Sequence, residues 1–113
     1  MKYLLLICVD EGARLTQEEQ AAMNRGGTTW AAEMDRRGVR EQGHALRPTG
    51  EARTVRLRGS KLSVTDGPFA ETKERVAGFD ILECASLEEA IEVASKHPVV
   101  RIGSVEVRQF LGD

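Results

Sequence analysis

Asp66, His44, His97, Cys8 and Cys84 are the side chains whose types and places in the sequence make them candidates for proton transfer or nucleophilic attack. Asp66 heads the stretch Asp66-Gly67-Pro68-Phe69-Ala70-Glu71-Thr72-Lys73-Glu74. It admits two readings. Asp-Gly is a common turn pair whose carboxylate accepts a local backbone amide. A carboxylate displayed on a loop can also serve as general acid or base, with its pKa set by burial and neighbours. His44, within Gln42-Gly43-His44-Ala45-Leu46, is either an edge-strand histidine or a proton carrier, because imidazole titrates near neutrality. His97 stands before Pro98 at the expected end of a helix, where a cation is favoured. The two cysteines fall near the C-terminal ends of two expected core strands. Antiparallel pairing puts such thiols at opposite ends of a sheet, out of disulfide reach. No cation adjoins Cys8 to make it a thiolate.

The spacings that carry other chemistries are missing. There is no His-x3-His, no His-Glu-x-x-His and no Cys-x-x-Cys, so no metal site is expected. There is no Gly-x-Gly-x-x-Gly after the first strand, no Walker-type loop and no Gly-x-Ser-x-Gly elbow. Nucleotide cofactors and serine hydrolysis therefore have no support, and no cofactor is expected.

Several residues suit a binding pocket. Phe69 is one of only five aromatic residues and either anchors its loop or forms a pocket wall. Lys73, in a mixed run of charges, is either solvated or meets an anionic group if the loop closes a pocket. Trp30 shares a face with Met23, Gly27 and Met34, at spacings of four, three and four, and either packs in the core or stacks on a ligand. Gly26-Gly27 in mid-helix is unusual, since each glycine costs about 1 kcal/mol against alanine there.

The elements that must position these residues are legible. Tyr3–Val9 is a continuous apolar run, as in a strand covered on both faces. Thr16-Gln17-Glu18-Glu19 is a capping box that opens a helix ended by Gly38. Val39–Leu46 is a weak second strand. Val55 and Leu57, then Leu62 and Val64, alternate with polar residues around a two-residue Gly59-Ser60 turn, the pattern of a hairpin with one wet face. Ala77–Cys84 is the next core strand, and Ser86-Leu87-Glu88-Glu89 a second capping box. Leu87, Ala90, Ile91 and Ala94 form the expected apolar stripe of the second helix, which Pro98 ends. Val105 and Val107 mark a last strand, with Glu106 and Arg108 on its other face as an edge or dimer-contact pair.

The order is β-α-β, an inserted hairpin, then β-α-β. Without the hairpin this is the α+β ferredoxin-like split βαβ pattern: one antiparallel sheet with two helices on one face. The other face is too apolar to be left wet, and a second copy of the chain is the simplest cover, so a homodimer is expected.

The Asp66–Glu74 stretch, followed by Ala77-Gly78-Phe79, resembles the signature of the DGPF-domain proteins, a branch of the YCII-related family. The Glu106-Val107-Arg108 segment resembles the family's C-terminal end. The resemblance implies a dimeric α/β barrel in which two such sheets pack face to face. It implies a cleft with an Asp–His dyad, to which Asp66 corresponds by motif. The helix-borne histidine of that dyad falls on Gly27, so it is absent here, and a ligand is expected in the volume an imidazole would leave. Two functions follow as expectations. One is a cofactor-independent enzyme for a small molecule, with Asp66 as the proton-transfer group, His44 as its substitute partner, and Gly67, Pro68, Phe69, Lys73, Trp30 and Gly27 around the ligand. The other is a non-catalytic binding or regulatory module, tied through protein contacts to the sigma-factor-type transcription control that the resemblance implies.

Composition bounds these readings. With 113 residues the chain is expected to form a single domain over its whole length. Sixteen basic against 18 acidic residues give a net charge of −2, without the basic face of a nucleic-acid binder. The apolar run after Lys2 is short for a signal core and ends at Asp10-Glu11. No stretch has the length of a membrane helix. A cytoplasmic protein with no membrane partner is therefore expected.

Overall fold

The computed structural model describes residues 1–68 and 73–113. Six strands and two helices follow one another as β1 (Lys2–Val9), α1 (Gln17–Arg36), β2 (Arg40–Ala45), β3 (Arg53–Arg58), β4 (Lys61–Asp66), β5 (Arg75–Glu83), α2 (Leu87–Ser95) and β6 (Ser104–Gln109). Short 3-10 turns cover Thr49–Glu51 and Pro98–Arg101. The main sheet has the order β2-β5-β1-β6, with every neighbouring pair antiparallel. This is the ferredoxin-like arrangement read from the sequence, with β3 and β4 set apart as a second, two-stranded sheet.

Local chemistry accounts for the elements. The Thr16 hydroxyl accepts from the Glu19 amide at 3.0 Å, and the Glu19 carboxylate accepts from the Thr16 amide at 2.9 Å, closing the capping box. At α2 the box is shifted. The Ser86 hydroxyl accepts from the Glu89 amide, but the Glu89 carboxylate reaches past the cap to the Ala85 amide at 2.8 Å. The buried stripe of α2 also differs from the expected one. Ala90, Val93 and Ala94 face the sheet, while Leu87 and Ile91 are exposed. The helix is rotated so that the larger Val93 fills the core, and α2 stops at Ser95, before Pro98 begins the next turn.

The core lies between the helices and one face of the sheet. Tyr3, Leu5, Ile7 and Leu82 meet Trp30, Met34, Val93 and Val99 there. On the opposite face Leu4, Leu6, Phe79 and Ile81 are only half buried. The Gly26-Gly27 pair divides its work. A Cβ at Gly26 would lie 3.1 Å from Pro98, so this glycine lets the 3-10 turn close on α1. A Cβ at Gly27 would meet nothing within 4 Å.

The hairpin departs from expectation. Its turn has positive φ at Gly59 only, as a type II′ turn requires. Its apolar residues, however, are not turned into a core. Val55, Leu57, Leu62 and Val64 are 59–64% exposed within the single chain. The arm widens the molecule to 48 × 42 × 18 Å with a radius of gyration of 15.9 Å. A compact chain of this length has a radius of about 13 Å.

Candidate functional site

The cleft that best fits a ligand lies between α1 and the β2–β5 edge of the main sheet and has a volume of about 520 Å³. Missing side chains create it. Gly27 opens it from the helix, while Gly43 and Gly78 lie on the sheet side. Gly78 also lets β2 approach, because a Cβ there would lie 2.9 Å from the His44 carbonyl. Ile7, Met23, Ala31 and Val99 make most of the remaining wall apolar, with Trp30 and His97 set against each other at 4.8 Å in an edge-on pair. The Trp30 indole N–H is committed, donating to the Val93 carbonyl at 2.9 Å.

A buried ion pair stands in this wall. Asp80, on β5, is 6% exposed. Its Oδ1 accepts from Arg40 Nε at 2.8 Å, and Arg40 also donates from Nη1 to Asp35 at 3.1 Å. Burial pushes the Asp80 carboxyl above the usual carboxylate range, while the Arg40 guanidinium opposes that rise. The carboxylate occupies the space a side chain at Gly43 would need, since a Cβ there would fall 1.8 Å from Oδ1.

His97 behaves differently from the cation expected at a helix end. It caps the 3-10 turn, its Nδ1 accepting from the Val99 amide at 3.0 Å. That bond belongs to the neutral ring, and burial lowers its pKa. His44 sits on the edge strand β2, paired across to Phe79 with ring centres 5.7 Å apart, at the rim of the cleft.

Of the residues proposed from sequence, Gly27, Trp30 and His44 thus come together. Asp66 does not join them. It ends β4 with its side chain 88% exposed and its Oδ1 3.1 Å from Arg53 Nε. Gly67 adopts positive φ and closes the hairpin base, its amide donating to the Ala52 carbonyl at 2.8 Å and its carbonyl accepting from the Thr54 hydroxyl. Pro68 borders a shallow depression with Leu46, Thr49 and Val76, and Lys73 another with Asp10 and Glu11. Phe69 lies outside the described residues. Cys8 and Cys84 are free, and burial raises both thiols, so neither is poised as a nucleophile. Among the described residues no group of three or more His, Cys, Asp or Glu gathers as metal ligands, and no helix is long and apolar enough to cross a membrane.

Asp80, Arg40, Gly43 and His97 were not singled out for this site by sequence. The signal for Asp80 was present. Period-two alternation along β5 places it on the core face with Gly78 and Leu82, where a charge needs a partner.

The model of the YCII-related domain matches residues 1–111, so the chain belongs to that family. It is also 46% identical, over 65 residues, to an uncharacterised protein of Rhizobium meliloti (strain 1021); the match covers 56% of this chain and 52% of that protein. The chain therefore spans about half the length of that relative.

Proposed function

We propose that this YCII-related protein binds a small, largely apolar molecule in the cleft between α1 and the β2–β5 edge, and that it works as a homodimer. The observation that carries the binding reading is the open volume at Gly27, which faces no atom within 4 Å where a side chain would begin. A volume of about 520 Å³ lies within the range of small-molecule sites. Binding is favoured over proton transfer by Asp66, because that carboxylate is exposed and ion-paired rather than desolvated beside a base.

One observation keeps a catalytic reading in play. The hairpin that ends in Asp66 carries an uncovered apolar stripe, and a second copy seated there would bury the surroundings of Asp66. In that reading Asp66→Asn abolishes turnover of a substrate while fold and assembly persist. Normal turnover by that variant removes the role.

Native mass spectrometry of gently purified protein tests the binding reading. The expected result is a dimer carrying additional small-molecule mass, and a Gly27→Leu dimer without it. A monomer, or the same extra mass on Gly27→Leu, contradicts it.

A further inference from the structure

Asp80 is a buried carboxylate with unfinished hydrogen bonding. An ionised carboxylate has two oxygens and about four acceptor positions. Arg40 fills one position on Oδ1 at 2.8 Å. Arg40 also donates from Nη1 to Asp35, at 3.1 and 3.3 Å. No described residue donates to Asp80 Oδ2. The residue is 6% exposed and borders the cleft, and Oδ2 is not sealed from water, so the open acceptor is within reach of whatever occupies the cleft. Gly43 secures this arrangement, since any Cβ there would displace the carboxylate.

We propose that Asp80 is the recognition group of the cleft, its Oδ2 accepting a hydrogen bond from a hydroxyl carried on a small apolar ring. The inference rests on the cleft being the ligand site. A ring suits the aromatic wall to which Trp30 and His97 contribute, and the remaining lining from Ile7, Met23 and Ala31 is apolar. A neutral hydroxyl suits it better than an ammonium, because these walls offer little to solvate a full positive charge. Asp80, Arg40 and Asp35 together carry one net negative charge, so the site rejects carboxylates and phosphates.

Phenol and anisole share the aryl oxygen, but in anisole a methyl group replaces the hydroxyl hydrogen and removes the donor. Their binding can be followed on the single indole N–H signal of Trp30 in a 1H–15N spectrum. The intact protein is expected to bind phenol at least tenfold more tightly than anisole, the effect of one hydrogen bond to a charged acceptor. In Asp80→Asn the carbonyl oxygen stays with Arg40 Nε and the amide NH2 takes the Oδ2 position. The acceptor becomes a donor, and the preference for phenol falls to about onefold. Gly27→Leu fills the cleft and weakens both probes.

Equal affinities in the intact protein, or an unchanged preference in Asp80→Asn, overturn the role of Asp80; so does benzylamine binding more tightly than phenol. Those results leave the cleft itself standing as long as Gly27→Leu weakens binding. Binding unchanged by Gly27→Leu overturns the cleft reading as well. If Asp80→Asn does not fold, toluene, which matches phenol in size and lacks the donor, is the comparison in the intact protein, and phenol binding no more tightly than toluene overturns the role.

Discussion

At the scale of single residues, Gly43 and His97 are the sharpest tests of how the cleft is built. Gly43→Ala sets a methyl group against the Asp80 carboxylate and the Arg40 guanidinium, and must break their pairing. A loss of about 1–3 kcal/mol, the usual cost of overpacking, is expected in urea unfolding. His97 has a folded pKa below its ordinary value near 6.5. The unfolded chain then binds the proton more tightly, so this contribution is complete above pH 6.5 and lost as pH falls through the folded value. His97→Asn keeps an acceptor for the Val99 amide and removes the titration. The fall in Tm between pH 7 and pH 5 should be smaller in the variant than in the parent. A sequence reader sees His97 beside Pro98 and places a cation at a helix end. What decides otherwise is the ring's contact with Trp30, which brings it under cover from 67 positions away in the chain. Asp66 misleads for the opposite reason. Its motif is conspicuous, yet motif says nothing about desolvation, and the residue stands in the open beside Arg53.

At the scale of elements, α1 gives up stability to hold the cleft open. Gly27→Ala should therefore stabilise the protein by about 0.8–1 kcal/mol, because helix propensity improves with no clash to oppose it. A neutral or destabilising result in urea unfolding would mean that the space at Gly27 is filled. The two helices are also tied together. Arg37 donates to Glu92 at 2.8 and 3.3 Å, Lys96 adds a contact at 3.0 Å, and the Glu92 carboxyl is held down to about 2. Stability from this link is present above the ordinary value of 4.5 and is lost as pH falls towards about 2. Glu92→Gln should lower Tm at pH 7, match the parent near pH 2, and differ less in high salt because the pair is exposed. The main sheet and both helix starts were legible in the sequence, because capping boxes and periodic apolar runs are local signals. The face presented by α2 was not. Leu87 and Ile91 are more apolar by type than Ala90 and Ala94, but the helix must lie close to the sheet, and small residues permit that approach. The hairpin's pairing was legible for the same local reason, whereas the fate of its apolar side was not, since nothing among the described residues covers it.

At the scale of the whole molecule, the proposed homodimer would cover two apolar surfaces: the half-open sheet face with Leu4, Leu6, Phe79 and Ile81, and the hairpin stripe. The hairpin contributes no side chain to the core cluster, so charges there should leave the chain folded. Leu57→Lys combined with Leu62→Lys is expected to give a folded monomer by sedimentation and circular dichroism. A dimer that survives both substitutions would exclude the hairpin stripe from the interface. Where a ligand lands is the deciding observation for function. Phenol can be titrated into the 15N-labelled protein and the shifted backbone amides mapped. Gly27, Gly43, Gly78 and the Trp30 indole are expected to move together and saturate as one site. Shifts centred on Arg53, Asp66 and Gly67, with the cleft unmoved, would contradict it and return the site to the signature loop.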